Sequence, residues 1–337
     1  MVQALENLKE LQQKRLLKIV VVIPAYNEEK TIANVITGVR REMMDENLIE
    51  VMVIDDGSDD STVSQARRAG ADVIVTHKSN KGVGAAFATG VSSALKRGAD
   101  IIVTMDADGQ FSPRDIPRLI GPILRTEADF VTGSRFSNAN SIHRMPRIKL
   151  IGNKLFTRLV SSLTGCRFTD TQCGFRAYSQ RAAMRLNTFG EFTYTQEVFI
   201  DLLSKGMTVK EIPIKVGDRK GKSKVVTHWY SYGLQALAII IRTFRDYMPL
   251  KFFGLISLAM IVPGVGLGGF LTLHWMVTGR TSPYTSLLYL VVILLTMGII
   301  FLVLALIADM IGRLRRIEEE LLYRSKLHDY NDMDSPA

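Results

Sequence analysis

Two carboxylates flank one alanine at Asp106-Ala107-Asp108, directly after a short apolar run from Ile101 to Met105. Alternate residues beyond a strand end can turn both acids toward one point, where like charges repel. A hard divalent cation with oxygen ligands, Mg2+ or Mn2+, removes that repulsion; it can bridge the pair to a diphosphate and stabilise it as it leaves. Gln110 is placed to add a neutral oxygen. The D-x-D spacing alone also fits an ordinary loop or cap, and the metal reading draws its weight from the motifs around it.

Asp55-Asp56-Gly57-Ser58 follows another apolar run, Val51 to Ile54. A carboxylate there can accept from a nucleobase or ribose, and Gly57 permits a tight turn; a plain turn explains the same letters. Asn80-Lys81-Gly82-Val83-Gly84-Ala85 precedes a helical stretch, so its amides and small residues, Lys81 and Gly84 included, can approach phosphate or ribose closely. It is not a dinucleotide fingerprint: G-x-G-x-x-G fails at Phe87, and the loop does not follow the first strand.

The elements that position these groups alternate strictly. Ile19 to Ile23 is continuous, apolar and β-branched, the mark of a strand buried on both faces of a parallel sheet. Helical pattern from about Glu29 to Met44 follows, then strand 51–54, helix 61–68, strand 73–75, helix 84–96 and strand 101–105. Such alternation specifies an α/β sandwich with a mostly parallel sheet, whose ligands collect at the carboxyl ends of strands. Pro24-Ala25-Tyr26-Asn27-Glu28, Asp55–Ser58 and Asp106–Gln110 all fall at such ends.

The chain has 337 residues and a formal net charge of +9. No acid occurs between Asp129 and Asp170, while Arg135, Arg144, Arg147, Lys149, Lys154, Arg158 and Arg167 fall there; Lys215, Arg219, Lys220, Lys222 and Lys224 form a second basic cluster. Both lie beside amphipathic or membrane-type segments, which favours lipid phosphate over nucleic acid. The two cysteines, Cys166 and Cys173, lack C-x-x-C spacing, so neither a disulfide framework nor a zinc site is indicated. Residues 1–18 read as a short charged helix without a signal-peptide core.

Two blocks, Phe252 to Val277 and Leu287 to Ala308, are long and apolar enough to span a bilayer as a hairpin. A buried hairpin in a soluble protein is the alternative. Arg242, Arg245 and Lys251 precede the hairpin and Arg313, Arg315 and Arg316 follow it, against Arg280 alone in its loop. The positive-inside rule then makes both termini, the catalytic domain at 19–224 and the tail at 309–337 cytoplasmic. Before the hairpin, 148–163 (Ile148, Ile151, Leu155, Leu159, Leu163) and 225–250 (Trp229, Tyr232, Ala236, Ile240, Phe244, Tyr247) carry one apolar stripe each among basic residues. They read as helices lying in the headgroup plane, or else as helices packed on the sheet.

PAYNE at 24–28, DDGS at 55–58, NKGVGAA at 80–86, DADGQ at 106–110, GSR at 133–135 and DTQCGFRAY at 170–178 together resemble family 2 glycosyltransferases. The branch they most resemble makes dolichyl- and other polyprenyl-phosphate sugars, and the similarity covers about Ile19 to Lys224. The resemblance implies a GT-A fold, inverting transfer from a nucleotide-sugar to a polyprenyl phosphate, and one Mg2+ or Mn2+. It implies Asp106, Asp108 and Gln110 as metal and diphosphate ligands, with Pro24, Tyr26, Glu28 and Asp56 bordering the nucleotide. Arg135 and Arg219 match arginines that hold the acceptor phosphate, accompanied by Lys222, Ser223 and Lys224; Asp170 falls close to the acceptor. The chain departs at Ile148 and Gly152, where related synthases have arginine and serine, and Arg147 stands beside the first of these.

A phosphate monoester has a second pKa of about 6, so near neutrality it is already an anionic nucleophile. It needs cationic positioning more than a general base, and Asp170 would orient rather than abstract. UDP-sugars are slightly favoured over GDP-mannose by the DTQCGFRA segment, and a homo-oligomer stays open. Two other readings are a processive polysaccharide synthase, against which the absent Q-x-x-R-W motif speaks, and a membrane-tethered nucleotide-binding scaffold, against which Asp106, Asp108 and Gln110 together speak.

Overall fold

The computed structural model describes residues 17–43, 48–136, 147–186, 197–217, 241–242 and 244–334. The chain forms two compact units, one of residues 1–229 with 323–337, the other of residues 230–322.

The first unit is built on a seven-stranded sheet with spatial order β3-β2-β1-β4-β6-β5-β7 among the described residues. Its strands are β1 (Lys18–Ala25), β2 (Leu48–Asp55), β3 (Val73–Thr76), β4 (Ile101–Thr104), β5 (Phe130–Ser134), β6 (Arg176–Ser179) and β7 (Val209–Pro213). All pairs are parallel except those of β6, which runs antiparallel to β4 and to β5. The expected α/β sandwich with a mostly parallel sheet is therefore present. Ile19 to Ile23 are fully buried, as a central strand covered on both faces must be.

On one face lie α1 (Ile32–Glu42) and α4 (Ile116–Leu124), whose Ile32, Ile36, Leu119 and Ile120 share a core with Val21, Val53 and Val103. Helices α2 (Thr62–Arg68) and α3 (Val83–Lys96) complete the alternation read from the sequence. Gly90, midway along α3, lies against Val22 and Ile54, so the helix axis can approach the sheet closely.

Register levels the strand ends. Ala25 pairs with Asp55, Asp55 with Thr76, and Val22 with Thr104. β4 ends at Thr104 and Asp106–Gln110 follow it, so the three polar motifs leave the carboxyl ends of the adjacent parallel strands β1, β2 and β4 and occupy one rim.

Helix α5 (Arg147–Thr164) packs by residues outside the expected apolar stripe. It buries Asn153, Phe156, Thr157 and Val160, while Leu155 is 55% exposed beside exposed Lys154 and Arg158. The helix thus packs on its own domain by one face and presents a second, mixed apolar and basic face outward. Next come α6 (Gln180–Arg185) and α7 (Glu197–Ser204).

The second unit holds α8 (Pro249–Thr278) and most of α9 (Thr285–Asp334), both long and apolar enough to cross a membrane. They meet through small residues: Ser257 Oγ donates to the Gly298 carbonyl at 2.7 Å, and a Cβ on Gly264 would come within 2.9 Å of Leu295. Close backbone approach of this kind holds helices together where lipid offers no hydrophobic driving force. Outward-facing Leu258, Val262, Ile293, Ile299 and Leu306 are each more than half exposed.

Helix α9 runs unbroken to Asp334, where the sequence suggested only a tail after Ala308. Its end belongs to the first unit: Lys326 Nζ donates to the Met184 and Leu186 carbonyls, and the Arg185 guanidinium lies 4.2 Å from the Tyr323 ring centroid. Lys18, read as the close of an N-terminal helix, begins β1; residues 1–16 and most of the proposed 225–250 helix lie outside the described residues.

Candidate active site

The rim begins at β1, where Asn27 adopts φ 54° and bonds the β2 motif: its backbone N–H donates to Ser58 Oγ and its Oδ1 accepts from Asp59 N–H, both at 2.9 Å. Glu28 N–H donates to Thr62 Oγ1 at 2.8 Å, and Glu28 Oε2 accepts from Thr31 Oγ1 at 2.9 Å. Pro24 and Tyr26 are part-exposed at this edge.

Asp56 is only 4% exposed and organises the loop before α3. Its Oδ1 accepts from Lys81 N–H at 3.0 Å and lies 2.7 Å from His77 Nδ1; its Oδ2 accepts from Gly82 N–H at 2.8 Å. A carboxylate only accepts, so Nδ1 is the protonated ring nitrogen, and Nε2 faces Thr89 Oγ1 at 3.0 Å. A carboxylate offers about four acceptor sites, so this set leaves about one for a further donor. Asp55 Oδ2 is buried and lacks a hydrogen-bond partner among the described residues.

Gly57 has two reasons to be glycine. Its φ is +75°, and a Cβ there would fall 2.7 Å from the Ser79 carbonyl carbon and 3.0 Å from Asn80 N. The β2 turn and the Lys81 loop are thereby pressed together. Gly84 is buried in the first turn of α3, whose N-cap is Gly82 at φ 92°.

Past β4, Asp106 and Asp108 sit part-exposed around buried Ala107. Asp108 Oδ1 accepts from Gln110 N–H at 3.0 Å, closing a turn that Gly109 at φ 74° makes possible. The Asp106 carboxylate rests against Gly174, in a space that a Cβ at 174 would fill. Among the described residues no cluster of three or more His, Cys, Asp or Glu side chains could hold a metal. Two carboxylates nonetheless suit Mg2+ or Mn2+ beside a nucleotide, since such ions take one or two carboxylates and complete their shell with phosphate and water.

Arg135 follows β5. Its Nε donates to Asp170 Oδ2 at 2.6 Å and its Nη2 to Oδ1 at 3.0 Å, with Asp170 fully buried and Arg135 20% exposed. Burial pushes the Asp170 carboxyl up, but the Arg135 guanidinium, then Asn153, outweigh it and hold the group below its ordinary value. The resemblance matched Arg135 to an arginine that holds the acceptor phosphate; its Nε–Nη2 fork faces Asp170, leaving Nη1 and the second Nη2 hydrogen for another anion. Arg147 begins α5, and Arg219, Lys222, Ser223 and Lys224 lie outside the described residues.

Sequence reasoning passed over several supporting groups. Asn153 Nδ2 donates to Asp170 Oδ1 at 3.1 Å, and Glu211 Oε1 accepts from Asp170 N–H at 2.6 Å. Burial pushes the Glu211 carboxyl up despite the Thr169 and Asp170 N–H donors. Arg176, wholly buried, donates from Nε to the Cys173 carbonyl at 2.7 Å and from Nη2 to that of Thr171 at 3.1 Å, bracing the loop that carries Asp170 and Gly174. His77 was visible as a lone histidine just after a strand; Asn153, Arg176 and Glu211 take their roles only where α5, β6 and β7 meet the loop that carries Asp170.

Residues 20–186 match the family model "Glycosyl transferase family 2". The chain is 34% identical over 216 residues to the UDP-N-acetylglucosamine–dolichyl-phosphate N-acetylglucosaminyltransferase of Methanococcus voltae, covering 58% of this chain and 84% of that one. It is 30% identical over 215 residues to the polyprenol monophosphomannose synthase of Mycolicibacterium smegmatis, covering 61% and 80%. Among solved structures, glucosyl-3-phosphoglycerate synthase from Mycobacterium tuberculosis, in complex with Mn2+, UDP and phosphoglyceric acid, superposes with a TM-score of 0.53 at 23% identity, over 70% of this chain and 80% of that one. That identity supports the shared fold alone. With a GT-A-like sheet, a D-x-D rim and these relatives, the chain belongs to glycosyltransferase family 2 and is a glycosyltransferase.

Proposed function

We propose that the protein transfers a hexose from a nucleotide-sugar to a polyprenyl or dolichyl phosphate at a membrane surface, with inversion. The observation that carries this reading is the joining of a nucleotide-type rim to two membrane-length helices in one chain. Relatives named for dolichyl-phosphate and polyprenol-phosphate transfer support the acceptor class. The distribution of Arg and Lys around the hairpin supports a cytoplasmic catalytic domain.

Asp56, with the Lys81–Gly82 loop bound to it, would hold the nucleotide, and Pro24, Tyr26, Glu28 and Gly57 would border it. Asp106 and Asp108, with Gln110, would hold the divalent ion, which when bound supplies charge neutralisation for the departing diphosphate. Arg135 would meet the acceptor phosphate through its unengaged hydrogens while Asp170 fixes its plane. Asp170 would serve as an orienting group: it is fully buried and paired, and the phosphate acceptor already carries its negative charge. The outward face of α5, with Lys154, Leu155 and Arg158, fits a headgroup layer, the apolar residue inward and the cations at phosphate level.

The test incubates purified full-length protein with Mg2+ or Mn2+, polyprenyl phosphate and, in turn, UDP-glucose, UDP-N-acetylglucosamine and GDP-mannose, followed by mass spectrometry of extracted lipid. A polyprenyl-phosphate hexose from one donor is expected. Polymer made without lipid acceptor, or no lipid product from any donor, would overturn the proposal.

A further inference from the structure

The β4–β6 ladder pairs Thr104 with Arg176 in antiparallel register. Two residues beyond Thr104 lies Asp106, and two residues before Arg176 lies Gly174, so continuation of the register sets them face to face. A Cβ built on Gly174 would stand 2.9 Å from Asp106 Oδ1, 3.0 Å from Oδ2 and 3.3 Å from Cγ. Both oxygens therefore touch the place where any other residue would carry its side chain.

Conformation does not require this glycine. Gly174 is not among the glycines with positive φ, so an alanine could adopt its backbone. What it provides is room. Nor can the backbone at 174 retreat: its carbonyl accepts from Thr104 Oγ1 at 3.0 Å, and the Phe175 carbonyl accepts from Gly133 N–H at 2.9 Å. On the other side, buried Arg176 holds the Thr171 and Cys173 carbonyls. Cys173 and Phe175 on either side are fully buried in a close-packed core. A side chain added at 174 would meet the end of the part-exposed Asp106 side chain, so the Asp106 carboxylate is the group that would have to shift.

We propose that Gly174 is a positioning residue for the divalent-ion site: the missing side chain makes the seat that sets the Asp106 carboxylate in its liganding orientation. This rests on the metal reading of Asp106 given above. It assigns a role to the segment after Asp170 that is separate from acceptor binding. An arrangement of β6 parallel to β4 would have given Asp106 a different neighbour.

The experiment compares the full-length protein with Gly174→Ala, Asp106→Ala and the double variant. Mn2+ binding is read by electron paramagnetic resonance of the free ion, with and without UDP or GDP, and thermal unfolding is measured without metal. Wild type should bind Mn2+, Asp106→Ala should lose it, and Gly174→Ala should weaken it by about tenfold or more, the scale on which groups supporting a metal ligand act. Without metal, Gly174→Ala should lower the melting temperature in the wild-type background but not in the Asp106→Ala background, where the carboxylate it crowds is gone. Equal Mn2+ affinity in Gly174→Ala and wild type, or an equal loss of melting temperature in both backgrounds, would overturn the seat. Absence of Mn2+ binding by wild type itself would overturn the metal reading, and the melting cycle would still report separately on the contact.

Discussion

Arg135 and Asp170 form a two-pronged ion pair, Nε to Oδ2 at 2.6 Å and Nη2 to Oδ1 at 3.0 Å, in which the acid is fully buried and the base reaches partway to solvent. Asn153 of α5 and the backbone of Gln172 add donors to Oδ1 at 3.1 Å each. The pair thus ties the end of β5, the outward-facing helix α5 and the loop before β6 into one assembly beside the D-x-D rim.

Asp170→Asn should destabilise the protein by about 3–5 kcal/mol, because it leaves the Arg135 charge without its partner in a buried setting. The pH dependence has a definite sign. The folded carboxyl lies below its ordinary 3.8, so its stabilisation is present above that value and is lost as pH falls through the lower, folded value. Denaturant unfolding from pH 7 to pH 3 should show a constant gap between wild type and variant down to about pH 4 and a narrowing gap below it. A gap that closed between pH 7 and pH 5 would refute the assignment.

Gly57→Ala should impair donor binding as well as stability. The substitution costs about 1–2 kcal/mol for the left-handed backbone alone, and its Cβ would drive the Ser79–Asn80 backbone away from the turn. The donor KM should rise more than the acceptor KM, in a steady-state assay varying each substrate. An unchanged donor KM would show that the two loops do not jointly hold the nucleotide.

His77→Phe keeps the volume of the ring but removes the Nδ1 donor to Asp56 and the Nε2 contact with Thr89. Loss of one charge-assisted hydrogen bond is worth about 1.5–3 kcal/mol, and the freed Asp56 would hold the Lys81–Gly82 loop less firmly. Calorimetric titration with UDP or GDP should give weaker binding, while the melting temperature shifts by only a few degrees. Wild-type nucleotide affinity in this variant would confine His77 to a packing role.

Gly298→Leu should separate α8 from α9. A Cβ at 298 would meet Ile261, including its backbone N at 3.3 Å, and the Ser257 hydrogen bond to the 298 carbonyl would break. Ser257→Ala alone removes only that bond, worth about 0.6–1.7 kcal/mol between membrane helices. Resistance to unfolding in mixed detergent should fall slightly for Ser257→Ala and severely for Gly298→Leu. Equal behaviour of the two would mean that close backbone approach does not hold the hairpin.

The sequence by itself determined the alternation of strands and helices, the three polar strand ends and the two membrane-length blocks. Each is a local property: Ile19 to Ile23 reads as a doubly covered strand wherever it folds, and Asp106-Ala107-Asp108 carries its spacing within three residues. Helix α5 was legible as amphipathic, but which stripe packs was not, because Asn153 and Thr157 are polar residues whose burial comes with hydrogen bonds to each other, to Asp170 and to Thr171. The tertiary structure alone decided what faces what. The reversed direction of β6 brings Gly174 to Asp106 across some 70 residues of sequence, and the β5–β6 pairing brings Arg135 to Asp170. Such pairings depend on how the sheet is ordered in space, and that order is chosen by the packing of the whole domain.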